Sequence, residues 1–187
     1  MHHLILGGQR SGKSRHAEHL AQQWLAAEAA HRVTVVATAT AYDDEMRERI
    51  ARHRVDRAAR IARAHTVEEP LHLARVLREQ AAPGHLLLVD CLTLWLTNWL
   101  MPAEGRADMA AWQRECGALL ACLAELASPV VFVSNEVGWG VIPMSSEVRF
   151  FVDELGRLNQ AVAQRCEQVT LMVAGQAWTR PVVSVQK

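Results

Sequence analysis

Eight residues close to the start, Gly7-Gly8-Gln9-Arg10-Ser11-Gly12-Lys13-Ser14, satisfy the phosphate-loop pattern G-x-x-x-x-G-K-[ST]. Backbone N–H groups of such a loop, and of the helix it opens, have no acceptor inside the helix and converge on a polyphosphate. Lys13 adds a positive charge at the β- and γ-phosphates, and the Ser14 hydroxyl suits Mg²⁺. Gly7 and Gly12 supply backbone angles that other residues reach only at a cost. A second Mg²⁺ ligand is expected where an apolar strand ends in an acid, which is Asp90 after Leu86-Leu87-Leu88-Val89. The other reading of Asp90 is a cap for the segment Leu92 to Leu100.

One histidine has company that suits phosphate chemistry. His53 shares a helical stripe with Met46 and Ile50, and Arg49, Arg54 and Arg57 stand near it in sequence. Those arginines could gather phosphate charge around it. A histidine on an inward helical stripe can equally be a satisfied core residue, with the arginines paired to Glu45 and Glu48 on a solvated face.

These residues need a scaffold, and the chain supplies alternating strands and helices. Leu4-Ile5-Leu6 reads as a strand before the loop. Ser14 to about Ala30 reads as a helix, with Ala17, Leu20, Ala21, Trp24 and Leu25 at three- and four-residue spacing. Val33-Thr34-Val35-Val36-Ala37-Thr38 shows no alternation and suits a strand buried on both faces. Ala37, Thr38 and Ala39 then fall at its carboxyl end, the edge at which open α/β sheets bind ligands. Asp43-Asp44-Glu45 places acids in the first turn of the His53 helix. Thr66 and Glu69 fit a capping box opening the next helix, which makes Glu69 structural and leaves Glu68 for a ligand. Pro102 to Gly105 reads as a surface loop. Met109 to Leu126 predicts a long amphipathic helix, and Pro129 to Ser134 a buried strand. Asn135-Glu136 leads into a glycine-flanked tryptophan loop at the ligand edge. Ser145 or Ser146 caps a helix with Val148, Val152, Leu155, Leu158 and Val162 inward, and Val169 to Val173 is a last strand. The expected class is an α/β phosphate-loop NTPase, a single nucleotide-binding domain over residues 1–187 with a mostly parallel sheet flanked by helices.

Composition sets limits. Lys+Arg and Asp+Glu are 20 each in 187 residues, which argues against a partner such as nucleic acid or an anionic membrane held by bulk charge. The longest apolar stretch, Leu86 to Met101, is broken by Asp90 and Asn98 and is too short for membrane insertion as a helix. Cys91, Cys116, Cys122 and Cys166 include no C-x-x-C pair and suit buried thiols in a reducing compartment. The loop lies too near the start for a leader to precede it, so a cytoplasmic protein is expected. His2 and His3 point to opposite faces of a strand and are not expected to chelate together.

Beyond the phosphate loop with Arg15-His16-Ala17-Glu18, the chain carries Ala37-Thr38, Asp43-Asp44-Glu45-Met46 with Arg49-Ile50 and His53, Ser134 to Pro143, and Gly156-Arg157-Leu158-Asn159-Gln160. These blocks, in this order, resemble the bifunctional adenosylcobinamide kinase/adenosylcobinamide-phosphate guanylyltransferase family of cobalamin biosynthesis. The resemblance implies a recombinase-like phosphate-loop fold, a homotrimer, a corrinoid substrate, and GTP and ATP as nucleotide substrates with Mg²⁺. It implies phosphorylation of the adenosylcobinamide hydroxyl, followed by transfer of GMP from GTP onto that phosphate. It further implies that His53 becomes GMP-linked, and that Arg54, Val55, Asp56, Arg57 and Glu68 contact the guanine nucleotide. The segment between His53 and Glu68 is a few residues longer than is usual in the family and lacks its Pro and Trp, which makes His65 a rival to Glu68. Two other functions are consistent with the loop alone: a plain small-molecule kinase with His53 in the core, and a GTP-dependent binding switch.

Overall fold

The computed structural model describes residues 1–183. In chain order the elements are β1 (His2–Gly7), α1 (Lys13–Ala27), β2 (Arg32–Ala37), α2 (Asp44–Arg60), β3 (His65–Glu68), α3 (Leu73–Gln80), β4 (His85–Asp90), α4 (Leu92–Leu100), α5 (Met109–Glu125), β5 (Val130–Val133), α6 (Ser146–Ala163), β6 (Gln168–Val173) and β7 (Gln176–Pro181). The strands form one sheet in the order β3-β2-β4-β5-β1-β6-β7, parallel throughout except for antiparallel β7.

The unbroken apolar runs of the central strands follow from helices on both faces. Alternate residues point to opposite sides. Leu4, Val36, Leu87, Val89 and Phe132 pack under α3, α4, α5 and α6 with Trp95, Trp112 and Leu155. Ile5, Val35, Leu88, Val131 and Val133 face α1 through Ala17 and Ala21. His2 and His3 do diverge as strand geometry requires. His2 Nε2 lies 3.0 Å from the Leu123 carbonyl and His3 Nε2 lies 2.7 Å from Thr170 Oγ1. All four cysteines are free, with Cys122 and Cys166 buried and Cys91 and Cys116 half-buried.

Three expectations need correction. The segment starting at His65 is a strand, not the opening of a helix, because its backbone pairs with Thr34 to Ala37 along the sheet edge. Glu69 keeps its structural role, its Oε1 accepting from the N–H groups of Leu71 and His72 just ahead of α3. The strand β6 is not the last, since Ala174 and Gly175 at positive φ turn the chain back into β7. On α6, Leu155, Leu158 and Val162 are buried as predicted, whereas Val148 is exposed in the first turn.

Registers bring the predicted chemistry to one edge. Ala37 is level with Asp90 and with Glu68, Asp90 with Val133, and Val133 with Ile5. All these strands end together, beside the phosphate loop. His65 stands at the opposite end of β3, level with Thr34.

Candidate active site

The phosphate loop is held by backbone contacts. Gly7 receives the Glu136 N–H on its carbonyl at 3.0 Å, and the Gly175 N–H donates to the Ser11 carbonyl at 3.0 Å. A Cβ on Gly7 would lie 2.4 Å from the Met172 carbonyl oxygen, and Gly12 sits at φ +102° with Gly175 against it. The turn between β6 and β7 therefore buttresses the loop from behind. The N-terminus of α1 carries no side-chain cap, which leaves its N–H groups for an anion. Lys13 is buried and folds back, Nζ donating to the Gly8 carbonyl at 2.7 Å. Burial lowers its pKa, and the nearby Asp90 works in the opposite direction.

Ser14 and Asp90 meet as the sequence predicts. The Ser14 hydroxyl donates to Asp90 Oδ1 at 3.4 Å, and Arg57 donates to Asp90 Oδ2 at 2.9 Å. Asp90 does not cap α4, whose N-cap is Cys91. Thr38 is fully buried and braces this edge, its hydroxyl bonded to the Cys91 carbonyl at 2.7 Å and to the Cys91 N–H at 2.9 Å.

A cleft of about 470 Å³ opens above the edge, lined by Gln9 to Arg15, Ala37, Ala39, Asp90, Asn135 and one face of α2. That face carries Met46, Arg49, Ile50, His53, Arg54, Asp56, Arg57 and Arg60. The stripe of Met46, Ile50 and His53 is real, but it faces the cleft and not the core. His53 is exposed there. A core role for it is thereby corrected: α2 has a single buried residue, Arg57, and makes no apolar seat for an imidazole. Glu68 reaches the cleft and is paired with Arg54. Val55, 70% exposed, is not among the lining residues, and neither are Gly7, Gly8, Thr38 and His65. The acids of the cleft are each paired, Asp56 with Arg60, Glu68 with Arg54 and Asp90 with Arg57. Lys13, Arg10, Arg15 and Arg49 face it without an acidic partner among the described residues, a field suited to a polyphosphate.

Sequence reasoning passed over Arg60 and its partner Glu18. The signal was present in Arg54, Arg57 and Arg60, every third residue along the helix that bears His53.

Residues 3–179 match the family described as cobinamide kinase / cobinamide phosphate guanyltransferase. The chain is similar to the bifunctional adenosylcobalamin biosynthesis protein CobP of Pseudomonas aeruginosa, 53% identical over 175 residues that make up 94% of each chain. It is also similar to the bifunctional adenosylcobalamin biosynthesis proteins CobU of Escherichia coli and Salmonella typhimurium. Each is 36% identical over 181 residues, covering 92% of this chain and 95% of theirs.

Proposed function

The chain belongs to the cobinamide kinase / cobinamide phosphate guanyltransferase family, and on that premise we propose that the cleft between the phosphate loop and α2 serves its nucleotide chemistry, with His53 as the guanylylated residue. The kinase reaction passes the γ-phosphoryl group of ATP or GTP to the hydroxyl of adenosylcobinamide. The second reaction moves GMP from GTP onto that phosphate and yields adenosylcobinamide-GDP. One observation carries the reading: His53 is exposed on the α2 face that looks across the cleft at Lys13 and Ser14.

In the first half of guanylyl transfer, an imidazole nitrogen forms a bond to the α-phosphorus of GTP while the bond to the bridging α–β oxygen breaks. Pyrophosphate leaves, and the ring gives up its N–H proton to solvent. In the second half, an oxygen of cobinamide phosphate attacks the same phosphorus, the P–N bond breaks, and the imidazole recovers a proton. Lys13 and the N–H groups of α1 hold the departing phosphates. Ser14 and Asp90 are the oxygens that would hold Mg²⁺, whose charge would offset that of pyrophosphate. Two protein oxygens beside a phosphate site match the way Mg²⁺ is bound with substrate and water completing its shell. Arg49, Arg54, Asp56 and Glu68 line the nucleotide path. Assembly as a homotrimer in the cytoplasm completes the proposal. No helix among the described residues is long and apolar enough to cross a membrane.

The test is incubation with GTP labelled at the α-phosphate or at the γ-phosphate, followed by denaturation. Acid-labile, alkali-stable α-label on the wild-type protein and none on His53→Ala is the expected result. The His53→Ala protein should unfold within about 0.5 kcal/mol of wild type, since an exposed side chain holds little together. Undiminished α-label on His53→Ala would overturn the assignment.

A further inference from the structure

The helix that bears His53 has almost no apolar hold on the protein. Of the seventeen residues of α2, only Arg57 is buried. Its attachments gather in the last two turns: Arg54 to Glu68, Arg57 to Asp90, and Arg60 to Glu18 at 2.7 Å, with Gln22 Nε2 donating to the Arg60 carbonyl at 2.6 Å. Arg60 also reaches Asp56 on its own helix at 3.5 Å.

Three of these attachments lead to α1, one of them the Gln22 hydrogen bond to the Arg60 carbonyl. Ser14 reaches Arg57 through Asp90, and Glu18, one turn further along α1 on the same face as Ser14, reaches Arg60 directly. On α2, Arg57 and Arg60 follow His53 by four and seven residues, so all three share a face. The helix that starts the phosphate site and the helix that carries the nucleophile are thus joined by two parallel bridges between charged side chains, beside the Gln22 contact with the Arg60 carbonyl. The bridges differ in what the reaction demands of them. Asp90 is the acid that would serve the metal, so the first bridge competes with catalysis for its own central residue. Glu18 is outside the cleft lining, and its side chain is 4% exposed. Breaking a buried ion pair by removing one partner is costly, which makes the Arg60 contact a fixed point and not a passing surface contact.

Resting on His53 as the guanylylated residue, we infer that Glu18 is a positioning residue for guanylyl transfer, fixing α2 to α1 through Arg60 so that His53 keeps its place over the α-phosphate. Phosphoryl transfer draws on the phosphate loop, Ser14 and Asp90 and does not involve His53, so on this inference it is independent of the Glu18–Arg60 bridge. Near-attack geometry is sensitive to displacements of about 1 Å, and a helix fixed mainly by charged side chains shifts when one fixing charge is lost.

The experiment compares Glu18→Gln, Arg60→Gln and the double variant with wild type and His53→Ala, measuring the rate of α-label incorporation and, separately, cobinamide phosphate formation. Glu18→Gln is expected to slow labelling about 10- to 100-fold and to leave kcat/KM of phosphoryl transfer within about twofold. The double variant is expected to label no more slowly than the slower single variant, because both break one contact. Arg60→Lys keeps the charge, so it tests the bridge even if Glu18→Gln does not fold; its expected labelling rate lies between wild type and Arg60→Gln. Wild-type labelling by Glu18→Gln, or equal loss of both reactions, overturns the inference. If His53→Ala itself still takes up label, the reading beneath it fails instead, and the two failures are told apart within one gel.

Discussion

The two walls of the cleft are built on different physics. The phosphate-loop wall is made of backbone: its carbonyls and N–H groups are shared with β5, β6 and the turn before β7, and Leu4, Ile5 and Ala17 beside it are fully buried. The α2 wall is made of long charged side chains on an exposed helix, held by Arg54, Arg57 and Arg60. A bound triphosphate needs donors that do not move, and close packing provides them. A residue that is to form and break a covalent bond needs access from one side and support from the other. The difference assigns to each wall its own way of failing.

Removing Lys13 should break the rigid wall's function outright. Lys13→Ala is expected to lower both reactions by about 10²- to 10³-fold, since on the proposed reading each places the triphosphate on the same loop. Parallel assays of cobinamide phosphate and α-label would check it, and loss of one reaction alone would separate the sites.

Acid should act on the same wall through its foundations. Burial, reinforced by the charge of neighbouring His16, lowers the pKa of His3 from 6.5 to about 4. Between those values the unfolded chain binds more protons than the folded one. The stabilisation is therefore complete above pH 6.5 and is lost as pH falls towards 4, by about 2–3 kcal/mol at pH 4.5. Urea midpoints at pH 7 and pH 4.5 should show this loss in wild type and a flatter dependence in His3→Gln. Equal slopes would remove His3 from the account.

Salt should act on the other wall, with the smallest effect. Exposed ion pairs such as Arg54 with Glu68 weaken as the Debye length shrinks from about 10 Å at 0.1 M to about 3 Å at 1 M. Over that range α-labelling of His53 is expected to slow about two- to threefold more than phosphoryl transfer does. Identical salt dependence of the two reactions would mean that α2 is held by something other than charge.

The same contrast explains what could be read in advance. Gly7 to Ser14, Ala37 and Asp90 were legible because each is tied to a local signal, a glycine pattern or the end of an apolar run, and a parallel sheet aligns those ends. The stripe of Met46, Ile50 and His53 was legible as a stripe. Periodicity tells which residues share a face and not what that face looks at, so the core and the cleft remained open as destinations. The strand β3 escaped because none of its four residues is buried, and β7 because all six of its residues are exposed. The pairs Glu18 with Arg60 and Asp90 with Arg57 join positions 42 and 33 residues apart, and no local pattern announces such a pair.

The position of β1 in the sheet also has a history. It is inserted between β5 and β6, and the loop that follows it rests on the turn before β7. During synthesis the nucleotide-binding motif is therefore made before the neighbours that hold it, which follow once Val130 and then Gly175 have left the ribosome. Until then the loop has only its local contacts, such as Lys13 Nζ on the Gly8 carbonyl, and its long-range supports arrive in two stages, β5 before the turn that leads to β7.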